Sequence, residues 1–559
     1  VQDDSTSQRD NVKNLDNNTG YGTEDDYEPS GHISKILAAR VPVLGRITDN
    51  GDMECFKLSL TDYKKLKDGT TFNINYYLNN DYDAFMYEPH YWYKGINDFK
   101  NELKYTAWSS LVNTPLSSAS VVRRSALSLL TPTEGTVLIM QSITENTSTL
   151  ESSGVLQSRT GYNVYQFNVE GMKQVRWPGL NNSYFGACFL NAEGVIISKY
   201  AFSNNSNECD FNEEIGDYLF INVPSGAKTF VFTTRNTVSS QEVIAVDSTE
   251  VEAIEPDWVE HKPCLGAIYE ASVDNSMQLR SMTGQTVNVG TGTPTTWTGW
   301  RYLDNGYPNT DLSNGGNVPT TSDTINYTCK DFQNLAYMRG EGYQLFDYEM
   351  SKDVAMLTYA KVGDRDGQRK FGTGKSSGGS TGTKDSLGVN DSTYASGAGN
   401  KVLGYESFMA CTYEWMDRVA VNVISYKSAL AGMMSAVSGD PVNAVWHIYD
   451  PASDTERTVQ GITTTGKTVA RTRHGRFCDI IASKMTGESN FISHYADGQY
   501  YTASTCRVVG RAYINANANG GLACTGANNA SSSSSTYYGS RLAFRPPQGK
   551  QIIFADDEE

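Results

Sequence analysis

The chain of 559 residues is short of the features that most often betray a function. No window approaches the eighteen or so consecutive apolar residues of a membrane-spanning helix, and no basic stretch followed by an apolar one opens the sequence as a signal peptide would. The nine cysteines are odd in number and regularly spaced nowhere, with no C-x-x-C pair, so neither a disulfide framework nor a zinc site is indicated. Cys188, Cys411 and Cys478 are expected as small buried hydrophobes. No G-x-S-x-G, phosphate loop or H-E-x-x-H occurs. Basic residues are outnumbered: 46 Lys and Arg against 63 Asp and Glu give a formal charge of −17. That balance argues against a protein that tracks nucleic-acid phosphates, which needs Lys and Arg to neutralise them.

What the chain does have is Gly, Asn and above all Tyr, 34 of them against 20 Phe and 8 Trp. Such a composition suits a β-rich recognition protein better than a metabolic enzyme. Acidic residues crowd both ends, Asp3 to Glu28 and Asp556 to Glu559, and read as solvated tails. Residues 1–30 are a polar linker or docking segment, and 547–559 an acidic C-terminal tail. From Ile33 apolar character begins. Met86 to Lys94 interleaves aromatic and polar residues as a half-buried strand does, one that starts after Pro89 or lies at an edge. Between about 155 and 245 short alternating runs recur, such as Val164 to Val169, Tyr184 to Leu190 and Thr229 to Thr234. Turn signals separate them, the pattern of an antiparallel β-sandwich. Residues 362–400 are a long Gly/Ser/Thr-rich loop.

Six scattered histidines, including His447 and His474, fit hydrogen-bonded structural roles better than a metal site. Arg471, Arg473 and Arg476 are expected to pair internally with Asp450, Asp454 and Glu456. The Asp304 to Asn317 stretch is rich enough in oxygen to hold calcium but lacks the EF-hand pattern. Phe408, Trp415 and Val419 lie at helical spacing and predict a short amphipathic helix, with Trp415 as its packing anchor.

The C-terminal region carries the sharpest signal. A stretch of Asn, Ala, Ser, Gly, Thr and Tyr, Tyr513 to Tyr538, lies between Cys506-Arg507-Val508-Val509-Gly510-Arg511-Ala512 and Gly539-Ser540-Arg541-Leu542-Ala543-Phe544-Arg545. Tyr supplies rigid amphipathic area and the small polar residues adaptable hydrogen bonds, which is how a binding surface is composed. The apolar Leu542-Ala543-Phe544 between two arginines reads as a buried strand that fixes it. No Lys, Glu, Gln, Met or Trp occurs from Tyr513 to Tyr538, and none of these is encoded by an NNC codon.

These segments resemble the target proteins of diversity-generating retroelements, in which template adenines are mutated on copying so that an AAC codon becomes NNC. The segments Leu265 to Ser272, Leu279 to Gly284, Arg339 to Leu345, Asp347 to Met350 and Glu414 to Asp417 resemble the same family. The resemblance implies an α+β chain. A C-type lectin-type domain of the formylglycine-generating kind would be interrupted by an inserted antiparallel, jelly-roll-like β-sandwich. The implied boundaries are 31–150 for the first part of the lectin-type domain with a connector, 151–248 for the insertion, and 249–546 for the main part, with a variable region at 506–545.

The implied ligand-binding residues are Tyr513, Asn515, Asn517, Asn519, Cys524, Thr525, Asn528, Asn529, Ser531, Ser533, Ser535, Tyr537 and Tyr538; of these Tyr513, Asn515, Asn517, Asn519, Tyr537 and Tyr538 are expected exposed on one face, with Val508, Leu542 and Phe544 buried. The function implied is that of a phage tail-fibre receptor-binding protein on the virion, attaching to a host surface protein or glycan. A homotrimer would multiply weak contacts, with other tail proteins engaged through the N-terminal region. Neither a cofactor nor a metal is implied. A bacterial surface or pilus-tip adhesin with the same domain is the alternative, and a glycan-active enzyme a more distant one. Cys506 and Cys524 lie too far apart in sequence for the closely spaced cysteine pair of the oxidase relatives.

Overall fold

The computed structural model describes residues 32–98, 103–113, 133–140, 154–177, 184–200, 213–236, 244–246, 258–290, 295–297, 323–423, 444–450, 455–461, 467–486, 497–501, 507–512, 520–530 and 533–555. A few short gaps interrupt these ranges, and Tyr426 and two short strands at 13–14 and 19–20 are also described. They are mostly strand, with few helices.

Two large sheets dominate. The first has seven strands in the spatial order Tyr343–Leu345, Leu542–Phe544, Cys264–Ala267, Asp83–Glu88, Val41–Ile47, Met53–Lys57 and Ile552–Phe554. It is built from both ends of the chain, which is why it forms only after distant segments meet. Its centre is apolar on both faces: Val43, Leu44, Phe85, Leu265, Leu542 and Phe544 are buried. The last strand corrects one expectation. Ile552-Ile553-Phe554 is not part of a solvated tail but pairs in parallel with Met53–Cys55, and Phe554 packs edge-on against Tyr87. Three consecutive apolar residues had a sheet edge to cover.

Asp83–Glu88 and Cys264–Ala267 are neighbours in this sheet although about 175 residues separate them in sequence. The excursion between them leaves and returns through one stem, Tyr91–Tyr93 paired antiparallel with Val259–His261. Pro89 lies at the junction, after one strand and before the next, where a missing amide donor costs nothing. Within the excursion two antiparallel sheets are described, one of five strands and one of four. Their first strand is Thr133–Met140, paired with Gly154–Asn168, so the strand-rich segment starts well before the expected 151.

The second large sheet has nine strands and contains Tyr413–Val421, Ala444–Asp450, Arg507–Arg511 and Thr525–Asn529. Tyr413–Val421 replaces the helix predicted from Phe408, Trp415 and Val419. All nine of its residues are buried, so no alternation marks it as a strand. It also shifts register between Trp415 and Ala420, where Arg418 adopts a left-handed φ of 62°. The buried Asp417 carboxylate stabilises this irregularity, accepting from Gln333, Tyr337, Tyr426 and the Leu345 amide.

The helix Tyr348–Val362 lies among the strands and is buried along most of its length, so it shows little amphipathic period. Asp347 caps it by accepting from the Met350 amide, and Gly363 ends it at φ 68°. Asp347 also takes a two-pronged contact from Arg545, which ties the helix to the C-terminal strand. Gly342 is required nearby, since a Cβ there would lie 2.6 Å from the Phe544 ring. Phe544 is fully buried and packs edge-on against Tyr343. Phe544→Ala is expected to cost about 3–5 kcal/mol, measured as a lowered midpoint in chemical denaturation.

Candidate functional site

The C-terminal stretch is held between the two large sheets. Tyr538–Ser540 pairs in parallel with Tyr413–Trp415 of the nine-stranded sheet, and Leu542–Phe544 pairs with strands of the seven-stranded one. Arg541 stands at the crossing and is fully buried. Its guanidinium donates to the Ala267, Ile268 and Glu406 carbonyls at 3.0, 2.6 and 2.8 Å and to Glu414 at 2.7 Å. Arg511 completes the cluster with bonds to Glu414 and to the Phe408 carbonyl. Burial pushes the Glu414 carboxyl up, but the two guanidiniums outweigh it and hold it below the usual carboxylate range.

Above this frame the expected binding residues separate into three groups. Tyr537 is 55 % exposed, Asn528 is exposed, and Asn529, Ser533 and Ser535 are half-buried. Cys524, Thr525 and Tyr538 are buried, which removes them from a ligand-facing surface and corrects the expected exposure of Tyr538. Cys524 follows Leu522 and Ala523 into the interior, where the Ala523 amide donates to buried Asp497. Tyr538 stacks on Trp415 at 4.1 Å between ring centres and on Tyr413 at 5.0 Å, and its hydroxyl meets Asn529. Tyr513, Asn515, Asn517, Asn519 and Ser531 lie outside the described residues, as do Asp304 to Asn317. Val508, Leu542 and Phe544 are buried.

The turn carrying Tyr537 is fixed by its own backbone. The Ser535 carbonyl accepts from the Tyr538 amide, the Ser535 hydroxyl from the Tyr537 amide, and the Tyr537 carbonyl from the Tyr413 amide. Gly290 lies so close to this turn that a Cβ would sit 2.5 Å from the Ser535 nitrogen. Sequence reasoning missed the ring series Trp415, Tyr538, Tyr413, Tyr500, which runs from the core to a half-exposed Tyr500. Paired tyrosines at 500–501 were the available signal. From Tyr513 to Ser540 the sequence has no charged residue, so contacts made here owe little to long-range electrostatics.

Among the described residues the histidines make structural hydrogen bonds. His261 bonds Asp353 at 2.8 Å, His90 bonds Glu260, and His447 bonds Glu456 at 2.6 Å. Glu456 bonds His447 and the Tyr426 amide, while the side chains of Arg471 and Arg473 lie outside the described residues. The seven described cysteines, Cys188, Cys411 and Cys478 among them, are all buried. Among the described residues no helix is long and apolar enough to cross a membrane. No known protein family matches the chain, and no curated protein matches it.

Next to the Tyr537 turn, Glu270 is almost wholly buried and accepts from the Thr412 hydroxyl at 2.5 Å. Burial first, and the Glu414 charge second, push its carboxyl up to about 7. A raised carboxyl favours the fold while protonated, so its contribution is full below about pH 4.5 and is lost as pH rises through about 7. Glu270→Gln, which imitates the protonated form, is expected to gain stability over the parent across that window, on the order of 2 kcal/mol, read from melting curves at stepped pH. Tyr538→Ala is expected to cost about 3 kcal/mol, whereas Tyr537→Ala changes stability by less than about 0.5 kcal/mol.

Proposed function

We propose that the chain is a receptor-binding adhesin that attaches to a host surface through residues 513–537, in the manner of a phage tail-fibre tip. The observation that carries this reading is the division within one short segment. Among the described residues Asn528, Thr536 and Tyr537 are exposed and Asn529, Ser533 and Ser535 half-buried, while Tyr538, Arg541, Leu542 and Phe544 lock into the core. A surface meant to change needs a frame that does not depend on it. Here the stacking on Trp415 and the Arg541–Glu414 contacts use residues beneath the exposed ones.

A lectin-type fold of the formylglycine-generating kind is proposed as the scaffold. One sheet assembled from both ends of the chain, with a two-sheet excursion returning to its own stem, is what an interrupted domain of that kind would show. A trimer carrying three such surfaces would convert weak single contacts into avidity, and a place on a virion tail follows from the same reading.

Sequencing the coding region across the source population tests the proposal. Substitutions are expected at Tyr513, Asn515, Asn517, Asn519, Asn528, Ser533 and Tyr537, with Arg511, Arg541, Leu542 and Phe544 constant. Cys524 and Tyr538 should stay constant or change only to residues of similar volume, because they are buried. Uniform variation along the chain, or none in this segment, would overturn the reading.

A further inference from the structure

A solvent-open recess the size of a single water molecule lies beside the Tyr537 turn, lined by Glu270, Thr381, Thr383, Glu406, Ser407 and Cys411 among others. Its wall is continuous with the proposed binding surface. Thr412, next to Cys411, bonds Glu270 and sits so close to Gly539 that a Cβ there would lie 2.8 Å from its hydroxyl. The segment containing Val287, also in the lining, continues to Gly290, whose amide donates to the Tyr538 carbonyl.

The lining consists mainly of acceptors. Glu406 is fixed by the Gly382, Thr383 and Lys384 amides, and Glu270 by Thr412. Among the described residues neither carboxylate forms an ion pair, and burial raises both carboxyls. Ser407 is only 8 % exposed, yet its hydroxyl has no hydrogen-bond partner among the described residues. That hydroxyl opens into the recess and is free to bond whatever occupies it.

We propose that this recess binds a primary ammonium group and, on the receptor-binding reading above, that the group is a lysine side chain of a protein receptor. An ammonium is about as large as water and has three donors, which Glu270, Glu406 and Ser407 can accept. A planar guanidinium and a quaternary ammonium are too large for it. All the lining residues lie outside 506–545, so the recess is a constant anchor beside a changeable surface. A lysine held here would give every variant a shared first contact, and the outer residues would then decide which lysine-bearing partner is retained.

The test titrates the intact chain with n-butylammonium, with tetramethylammonium as control, followed by NMR chemical shifts. Saturable binding of butylammonium alone is expected, weakened about tenfold or more in Glu270→Gln and several-fold in Ser407→Ala. Glu270→Gln keeps the shape of the protonated side chain, so it folds and its loss of binding is informative. No saturable binding, or equal binding by the parent and Glu270→Gln, would show that the recess holds water only and overturn the proposal. Because this titration needs no receptor, its failure leaves the attachment reading standing. Absence of variation in the coding region would instead overturn that reading and leave the ammonium site in place.

Discussion

The contact between Arg541 and Glu414 is what the rest of the C-terminal half depends on. Arg541 occupies the single residue between a strand of one large sheet and a strand of the other, and its guanidinium reaches carbonyls at Ala267, Ile268 and Glu406 as well as the carboxylate. A planar fork of fixed geometry can satisfy acceptors on several segments at once, which a lysine cannot. Arg511 balances the second side of the same carboxylate. Burying a guanidinium is expensive, and that of Arg541 is tolerated because each of its nitrogens has an acceptor. What it secures is registry: the two sheets, and the turn between them, meet in one arrangement.

That registry explains the division of labour above it. Tyr538 is held by stacking on Trp415, and the chain then has no freedom about where Tyr537 emerges. The exposed side chains make few bonds to the frame, so exchanging them perturbs surface contacts and leaves the core energy nearly untouched. Rigid aromatic area presented from a fixed turn also binds with a small entropy penalty, because little is left to be ordered.

Part of this was legible in the sequence. Leu542-Ala543-Phe544 between two arginines announced a buried strand, and Trp415 a packing anchor; both occupy the core. The codon alphabet was a poorer guide to exposure. It says which residues a mutational process can write, whereas burial of Tyr538 and Cys524 is decided by Trp415, Tyr413 and Asp497, segments up to about 125 residues away. The strand Tyr413–Val421 was misread for a related reason. A strand buried on both faces has no period of two, and its interruption at Arg418 left apolar residues at an accidental helical spacing. Glu270 and Ser407 gave no local signal, since a recess is a property of segments brought together.

Charge distribution adds a last constraint on how such a surface meets a partner. The chain carries a net charge of −17, but none of its charged residues falls between Tyr513 and Ser540. Acidic charge elsewhere repels other acidic surfaces at long range and is screened within about 8 Å at physiological salt. At contact distance the uncharged segment itself neither attracts nor rejects by sign, so its own discrimination rests on shape and hydrogen bonds, where a mismatched polar group is left unpaired and costs about 1–3 kcal/mol. A neutral surface is also the one that can be rewritten most freely. Replacing Asn by Ser or Tyr changes its shape without creating a charge that the buried carboxylates of Glu270, Glu406 and Glu414 would have to accommodate.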